Sequence, residues 1–177
     1  LDWVQPAPPP ALAAAQALRD AWRGRVELQF VSLTPLDLLA EPAAGEPIAR
    51  AVAEAGGVLG AFVYRNADLA DKLARVFALA ARHGLALDFH VDEGLDVDAR
   101  GLDAIAGLAL AHGMAGRVVC GHACSLSVQD DAQAHRTLAL CARAGLHLVA
   151  LPTTNLYLQG AWDRTPRERG ITRLREA

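Results

Sequence analysis

The sequence predicts an α/β fold: about five consecutive parallel β/α units, forming part of a (β/α)8 TIM-type barrel. Three observations carry this. Four alanine-rich segments end at glycines (Gly57, Gly84, Gly113 and Gly145), and a short run rich in Val and Leu follows each. The glycines are separated by 27, 29 and 32 residues, close to the roughly 30 residues of a βαβ unit or of one step of an eightfold barrel. The apolar runs do not alternate with polar residues, the pattern of strands buried on both faces of a parallel sheet.

Taken in order, residues 1–24 read as a proline-rich connector (5–10) and a leading helix (11–22), and residues 25–177 as the partial barrel. The first strand is expected at 26–33 and the second at 58–64. A helix over 68–83 follows, with Leu69, Leu73, Val76, Phe77 and Ala80 at spacings of three and four on one apolar stripe. After the strand at 85–91, Leu102, Ile105, Ala106 and Ala109 mark the next helix. The strand at 117–121 comes next, then a helix with Leu138, Cys141 and Ala142 inward, then a strand at 146–151. Each glycine suits the left-handed position that ends a helix. His83 and His112 stand just before two of them, where an imidazole can meet the last carbonyls. Thr165-Pro166-Arg167-Glu168 fits a capping box, and Arg167, Arg169, Arg173 and Arg175 read as a solvated helix face. Beginning at Leu1 and ending at Ala177 within a helical pattern, the sequence is expected to be part of a longer gene product.

The composition narrows the function classes. Of 177 residues, 53% are hydrophobic and 21% charged, which excludes a disordered segment. Seventeen basic against twenty acidic residues give a net charge of −3, the wrong balance for a nucleic-acid partner. No apolar stretch approaches the roughly 20 residues of a membrane span, and no secretory signal pattern is present. Cys120, Cys124 and Cys141 form no CxxC pair, which points to reduced core thiols in a cytoplasmic protein.

Barrel enzymes carry their reactive groups at the C-terminal ends of the strands, and two such ends carry histidines here. In Leu85-Ala86-Leu87-Asp88-Phe89-His90, the period of two puts the larger apolar residues on one face, toward the helices. Asp88 and His90 then point into the barrel, with His90 at its mouth. Glu93 reaches the same place only from a turn, which Gly94 would permit. In Val118-Val119-Cys120-Gly121-His122, counting by twos puts Val118, Cys120 and His122 on one face and His122 at the level of His90. Two imidazoles and a carboxylate converging in this way favour a functional site over isolated core histidines.

These residues resemble the amidohydrolase superfamily, and most closely its bacterial cytosine deaminase branch. The resemblance rests on His90-Val91-Asp92-Glu93, Gly121-His122, Pro152-Thr153-Thr154-Asn155-Leu156-Tyr157-Leu158-Gln159-Gly160 and Arg169-Gly170-Ile171-Thr172-Arg173. It covers residues 25–177, as strands three to seven of the barrel. It implies a hydrolytic deaminase of a cyclic amidine or amide, such as an aminopyrimidine, dependent on one divalent metal ion (zinc or iron). By the same resemblance His90 is a metal ligand. Glu93 is the proton shuttle from the attacking water to the ring nitrogen and leaving amine. His122 stabilises the attacking oxygen or polarises the substrate. Asn155 is a candidate for loop order or substrate contact. The family's remaining ligands, a His-x-His and an Asp on other strands, match no position here. The family's pyrimidine-gripping glutamine falls at Pro35, which has neither a side-chain amide nor a backbone N–H, so the expected substrate is a relative of cytosine.

Two alternatives stay open at this level. One is a purine or adenosine-type deaminase or cyclic amide hydrolase using the same site. The other is a non-catalytic β/α scaffold. A small-molecule substrate, no nucleic acid or membrane partner, and possible homo-oligomerisation complete the expectations.

Overall fold

The computed structural model describes residues 1–157 and 171–177. A leading helix, α1 (Pro10–Ala21), precedes β1 (Val31–Pro35), α2 (Leu36–Ala40), α3 (Pro42–Glu54), β2 (Val58–Val63) and α4 (Leu69–His83). Then come β3 (Leu87–Val91), α5 (Gly101–Ala111), β4 (Val118–His122), a 3-10 turn (Cys124–Ser127), α6 (Asp131–Ala144), β5 (His147–Val149) and α7 (Pro152–Tyr157). The five strands form one parallel sheet in the order β1-β2-β3-β4-β5. This is the sequential winding that the repeat predicts. The first strand begins at Val31, five residues later than expected. Leu1–Trp3 runs parallel along its free edge, with Trp3 N donating to Leu33 O at 2.8 Å.

Helices α2 to α6 cover one face of the sheet and the core sits between. Leu59, Ala61 and Val63 from β2 and Leu87, Phe89 and Val91 from β3 meet Leu73, Val76 and Phe77 of α4, with Phe77 stacked on Phe89 at 5.9 Å. Each buried Val, Leu or Phe among them contributes about 1.5–3 kcal/mol. The stripe on α5 is the one expected. On α6 the inward residues are Ala134, Thr137, Leu138, Cys141 and Ala144, and Ala142 is exposed. Gly84, Gly113 and Gly145 are left-handed and terminate their helices. After α3 that role falls to Gly56 (φ 65°), not Gly57. Gly57 is pressed by the Phe30 ring, which a Cβ would strike.

His83 does not meet its helix's carbonyls. Its Nε2 lies 2.8 Å from Glu46 Oε1 on α3, because the adjacent helix offers a carboxylate. The His112 ring packs on Phe77 at 5.5 Å. Residues 171–177 contain a turn at 174–176, so no helix reaches Ala177. Arg173 pairs with Asp131 at 2.8 Å and with Glu176 at 2.9 Å. The capping box at Thr165, with Arg167 and Arg169, lies outside the described residues.

The opposite face of the sheet carries a cross-strand row at the level of His90: Pro35, Phe62, His90, Gly121 and Val149. Phe62 and Val149, 37% and 44% exposed, show that this inner face is open where the outer face is packed.

Candidate active site

His90 is placed by alternation alone. Leu87, Phe89 and Val91 are buried against the helices, and Asp88 and His90 emerge half-buried on the inner face. Burial, reinforced by the neighbouring His122, holds His90 below the ordinary imidazole pKa, against the pull of Asp88 and Glu93. A neutral imidazole is the form that ligates metals. Burial pushes the Asp88 carboxyl up, and His90 partly offsets it.

His122 reaches the same place by a different route from the one expected. In the ladder, His90 pairs with Gly121, and His122 pairs with Val91. Val118 and Cys120 belong to the core on the helix side, so strict alternation would send His122 there too. The backbone is instead left-handed at His122 (φ 72°) and at Ala123 (φ 48°), and the ring comes over to the inner side. The two imidazoles meet with centroids 4.9 Å apart and His122 Nε2 3.3 Å from His90 Nδ1. The matched level read from the sequence is therefore off by one residue, although the pairing of the rings holds.

Glu93 arrives through a turn, as it must, but the left-handed residue is Asp92 (φ 49°) and not Gly94. Its Oε1 lies 3.6 Å from His122 Nδ1, both side chains being nearly buried. Gly94 serves close approach, because a Cβ there would strike the Tyr64 ring. Asp92, which enters the sequence reading only as part of the His90–Glu93 motif and is given no role there, accepts from Gly101 N (3.2 Å) and Leu102 N (2.9 Å) and so caps α5 across the loop. The available signal was Arg100 at the N-cap of that helix, which makes no side-chain cap. Burial pushes Asp92 up to about 6, against the lowering effect of those two N–H groups. Ser125 ties the two strand ends together. Its N donates to Asp92 O (3.1 Å) and its Oγ to Gly94 O (2.7 Å).

Asn155, on α7, is buried beside this pair. Its Oδ1 lies 2.8 Å from His122 Nδ1, and its Nδ2 donates to Cys124 Sγ at 2.9 Å. Thr172 Oγ1 donates to Ala123 O at 2.8 Å, bracing the turn that redirects His122. Pro35 ends β1, exposed, in the row of His90 but two strands away. Leu158, Gln159, Gly160, Arg169 and Gly170 lie outside the described residues.

Among the described residues no three His, Cys, Asp or Glu side chains converge as a metal-binding group. The donor chemistry of His90, a neutral imidazole at the strand end with Nδ1 engaged by His122, fits one position of such a group. Catalytic metals commonly take three protein ligands, so further donors are needed from beyond the described residues.

A family model described as "Amidohydrolase family" matches residues 14–177. A pterin deaminase from Rhizobium rhizogenes is 43% identical over 160 residues, covering 90% of this chain. The chain spans 37% of that relative's length. Among solved structures, 5-methylcytosine deaminase from Klebsiella pneumoniae liganded with 5-fluorocytosine superposes with a TM-score of 0.78 at 27% identity. The match covers 94% of this chain and 41% of that one. N-isopropylammelide isopropylaminohydrolase from Burkholderia multivorans gives 0.68 at 29% identity, over 77% and 36% of the two chains. The sheet and its helices are thus those of a known group of proteins, and the chain belongs to the amidohydrolase family.

Proposed function

We propose that these strand ends form part of the active site of a hydrolytic deaminase of a cyclic amidine. The substrate class is an aminopyrimidine ring, free or fused as in a pterin. The observation that carries the reading is the convergence of His90, His122 and Glu93 at the C-terminal end of a parallel sheet. The similarity to a pterin deaminase and to a structure holding 5-fluorocytosine supports the substrate class.

In this reading His90 Nε2, with donors beyond the described residues, holds one divalent metal ion, zinc or iron. The metal supplies Lewis acidity that eases deprotonation of water. Glu93 would accept one proton from that water and give it to the ring nitrogen, then take the second from the hydroxyl now on the attacked carbon and give it to the departing amine. One carboxylate can do both because it sits on a turn and not in the strand. His122 faces the charge that develops on the attacked carbon's oxygen and stabilises it. Its near-complete burial excludes water that would weaken the interaction. Pro35, where the family's branch has a glutamine, offers no amide to a pyrimidine carbonyl and so favours relatives of cytosine over cytosine itself.

The test is ammonia release by the full-length, metal-supplemented protein across pterin, isocytosine, cytosine, creatinine and adenine. Release from an aminopyrimidinone, free or fused, is the expected result. Release from adenine alone would favour a purine deaminase, and release from none would overturn the reading.

A further inference from the structure

Along the row that carries His90, the two sides of the sheet differ in chemistry. Toward β4 stand Gly121, which has no side chain, and then the redirected His122 ring, buried together with its partner Asn155. Toward β1 stand Phe62 and then Pro35, with neither a charge nor a hydrogen-bonding side-chain atom between them. Phe62 is the direct neighbour of His90 in the ladder, about 4.8 Å away across the strands, and is 37% exposed. Packing does not require it, because β2 gives its core residues, Leu59, Ala61 and Val63, to the opposite face. An inner-face position at the level of the reacting imidazole lines the same cavity however the sheet is completed, since barrel sites are built at this end of the strands.

Tyr64, two residues on, has its ring centroid 6.4 Å from that of Phe62 and is tilted by 51°. This second ring is held in place. The Arg65 guanidinium lies over it at 5.0 Å and is itself paired with Asp96 at 3.3 Å. On the turn that carries Glu93, Gly94 makes room for the ring, which a Cβ there would strike. Tyr64 N donates to Asn66 Oδ1 at 2.9 Å, and Asn66 Nδ2 donates to Asp37 Oδ1 at 3.2 Å. The two rings thus form one wall, from the Glu93 turn to the level of His90.

A substrate that presents its amidine carbon to His90 and Glu93 finds the β4 side taken by His122 and Asn155, so the rest of its ring system extends along β2. The Phe62 face offers stacking there and no hydrogen bond. A single pyrimidine has little left to stack once its amidine is placed, whereas a fused second ring has a whole face. We propose that Phe62, with the tilted Tyr64 ring beside it, is a specificity-determining residue that receives the second ring of a fused, bicyclic aminopyrimidinone, so that the site favours the fused substrate over the free pyrimidine. This preference rests on the deaminase reading given above.

The test compares pterin with isocytosine, the same aminopyrimidinone without the second ring, in the full-length, metal-supplemented protein. The kcat/KM ratio of pterin to isocytosine is expected to be at least ~10, the scale of one stacked ring. Phe62→Ala is expected to lower that ratio by about tenfold, with KM for pterin moving more than kcat, as for a contact made equally in ground and transition states. Phe62→Tyr keeps the aromatic face and is expected to keep the ratio. Should Phe62→Ala fail to fold, Phe62→Leu, which stays apolar without the aromatic face, makes the same test. A parent ratio near one, or a ratio unchanged by Phe62→Ala or Phe62→Leu, overturns the proposal and leaves the deaminase reading standing. Calorimetry with lumazine and uracil, the deaminated forms of the two substrates, separates the opposite failure. No ammonia from either substrate, with lumazine bound ~10-fold tighter than uracil in the parent but not in Phe62→Ala, would sustain the aromatic subsite while removing the deaminase reading. Equal binding of the two by the parent would overturn the subsite.

Discussion

At the end of β3 the side-chain alternation runs true through His90 and the chain turns only at Asp92, whereas at the end of β4 the turn falls on the histidine itself. The first strand end delivers its imidazole by ordinary pleat and then spends one left-handed residue to swing Glu93 inward. The second uses two left-handed residues, His122 and Ala123, to carry an imidazole across the sheet from the helix side. A left-handed conformation costs a non-glycine residue about 1–2 kcal/mol, so the neighbouring turns hold three such costs within one small site. Strain of this kind persists where surrounding contacts over-determine it. Here those contacts run between the two ends: Ala123 N to Val91 O, Ser125 N to Asp92 O, and Ser125 Oγ to Gly94 O. These three hydrogen bonds join the two ends.

The largest expected effect concerns what the β3 turn presents. In the full-length protein, Glu93→Gln is expected to lower kcat by at least ~10²-fold, the scale of a lost acid–base group, with metal content unchanged by elemental analysis. Loss of metal, or near-normal turnover, would make Glu93 a ligand or a bystander. Next comes the cap beneath it. Asp92→Ala removes the acceptor for two N–H groups at the start of α5 in a buried setting. It is expected to destabilise the fold by about 2–3 kcal/mol in denaturant unfolding. A cost under about 0.5 kcal/mol would show that water satisfies those groups and that Asp92 is not what fixes the turn.

Ser125→Ala tests whether the two ends are coupled. It belongs to the β4 side but releases the β3 turn, so it is expected to cost about 1–2 kcal/mol and to lower kcat roughly tenfold through a misplaced Glu93. KM and metal content should stay unchanged. Stability loss with unaltered kcat would mean that the β3 turn holds its own shape.

The same contrast explains what the sequence could and could not reveal. The sheet order, the helix stripes on α4 and α5, and the emergence of Asp88 and His90 follow from periods of two and 3.6, which are local properties. The start of β1 was set by pairing with β2 and with Leu1–Trp3, which no local pattern encodes. His122 was found for a reason that fails: counting by twos assumes a pleat that the left-handed backbone abandons at that very residue. The partners that support the site are long-range. Ser125 meets Gly94 from 31 residues away and Asn155 meets His122 from 33, and only the folded sheet brings them together. Asp92 alone left a local trace, in a helix whose first position lacks a capping side chain.

The smallest expected effect lies at the edge of the comparison, at a strand end that has no left-handed turn. Pro35 closes β1 in the same cross-sheet row as Phe62 and His90. Its φ of −54° and ψ of 132° are open to any L residue, and it takes its place in the ladder without an N–H of its own. Pro35→Gln is therefore expected to leave the unfolding midpoint within experimental error. What changes is the chemistry offered to a ring at the mouth, because a glutamine amide can donate to a carbonyl and accept from a ring N–H at once. A site lacking such a pair forfeits discrimination for the substrate that needs it. For the full-length parent protein, kcat/KM on cytosine is expected below ~10⁴ M⁻¹s⁻¹, the lower end of ordinary enzyme efficiency. Pro35→Gln is expected to raise it about fivefold, with activity on the preferred aminopyrimidine unchanged or lower. A parent value above that threshold would show that cytosine is gripped by some other residue. A variant that gains nothing would show that the β1 end stands too far from His90 to touch the ring.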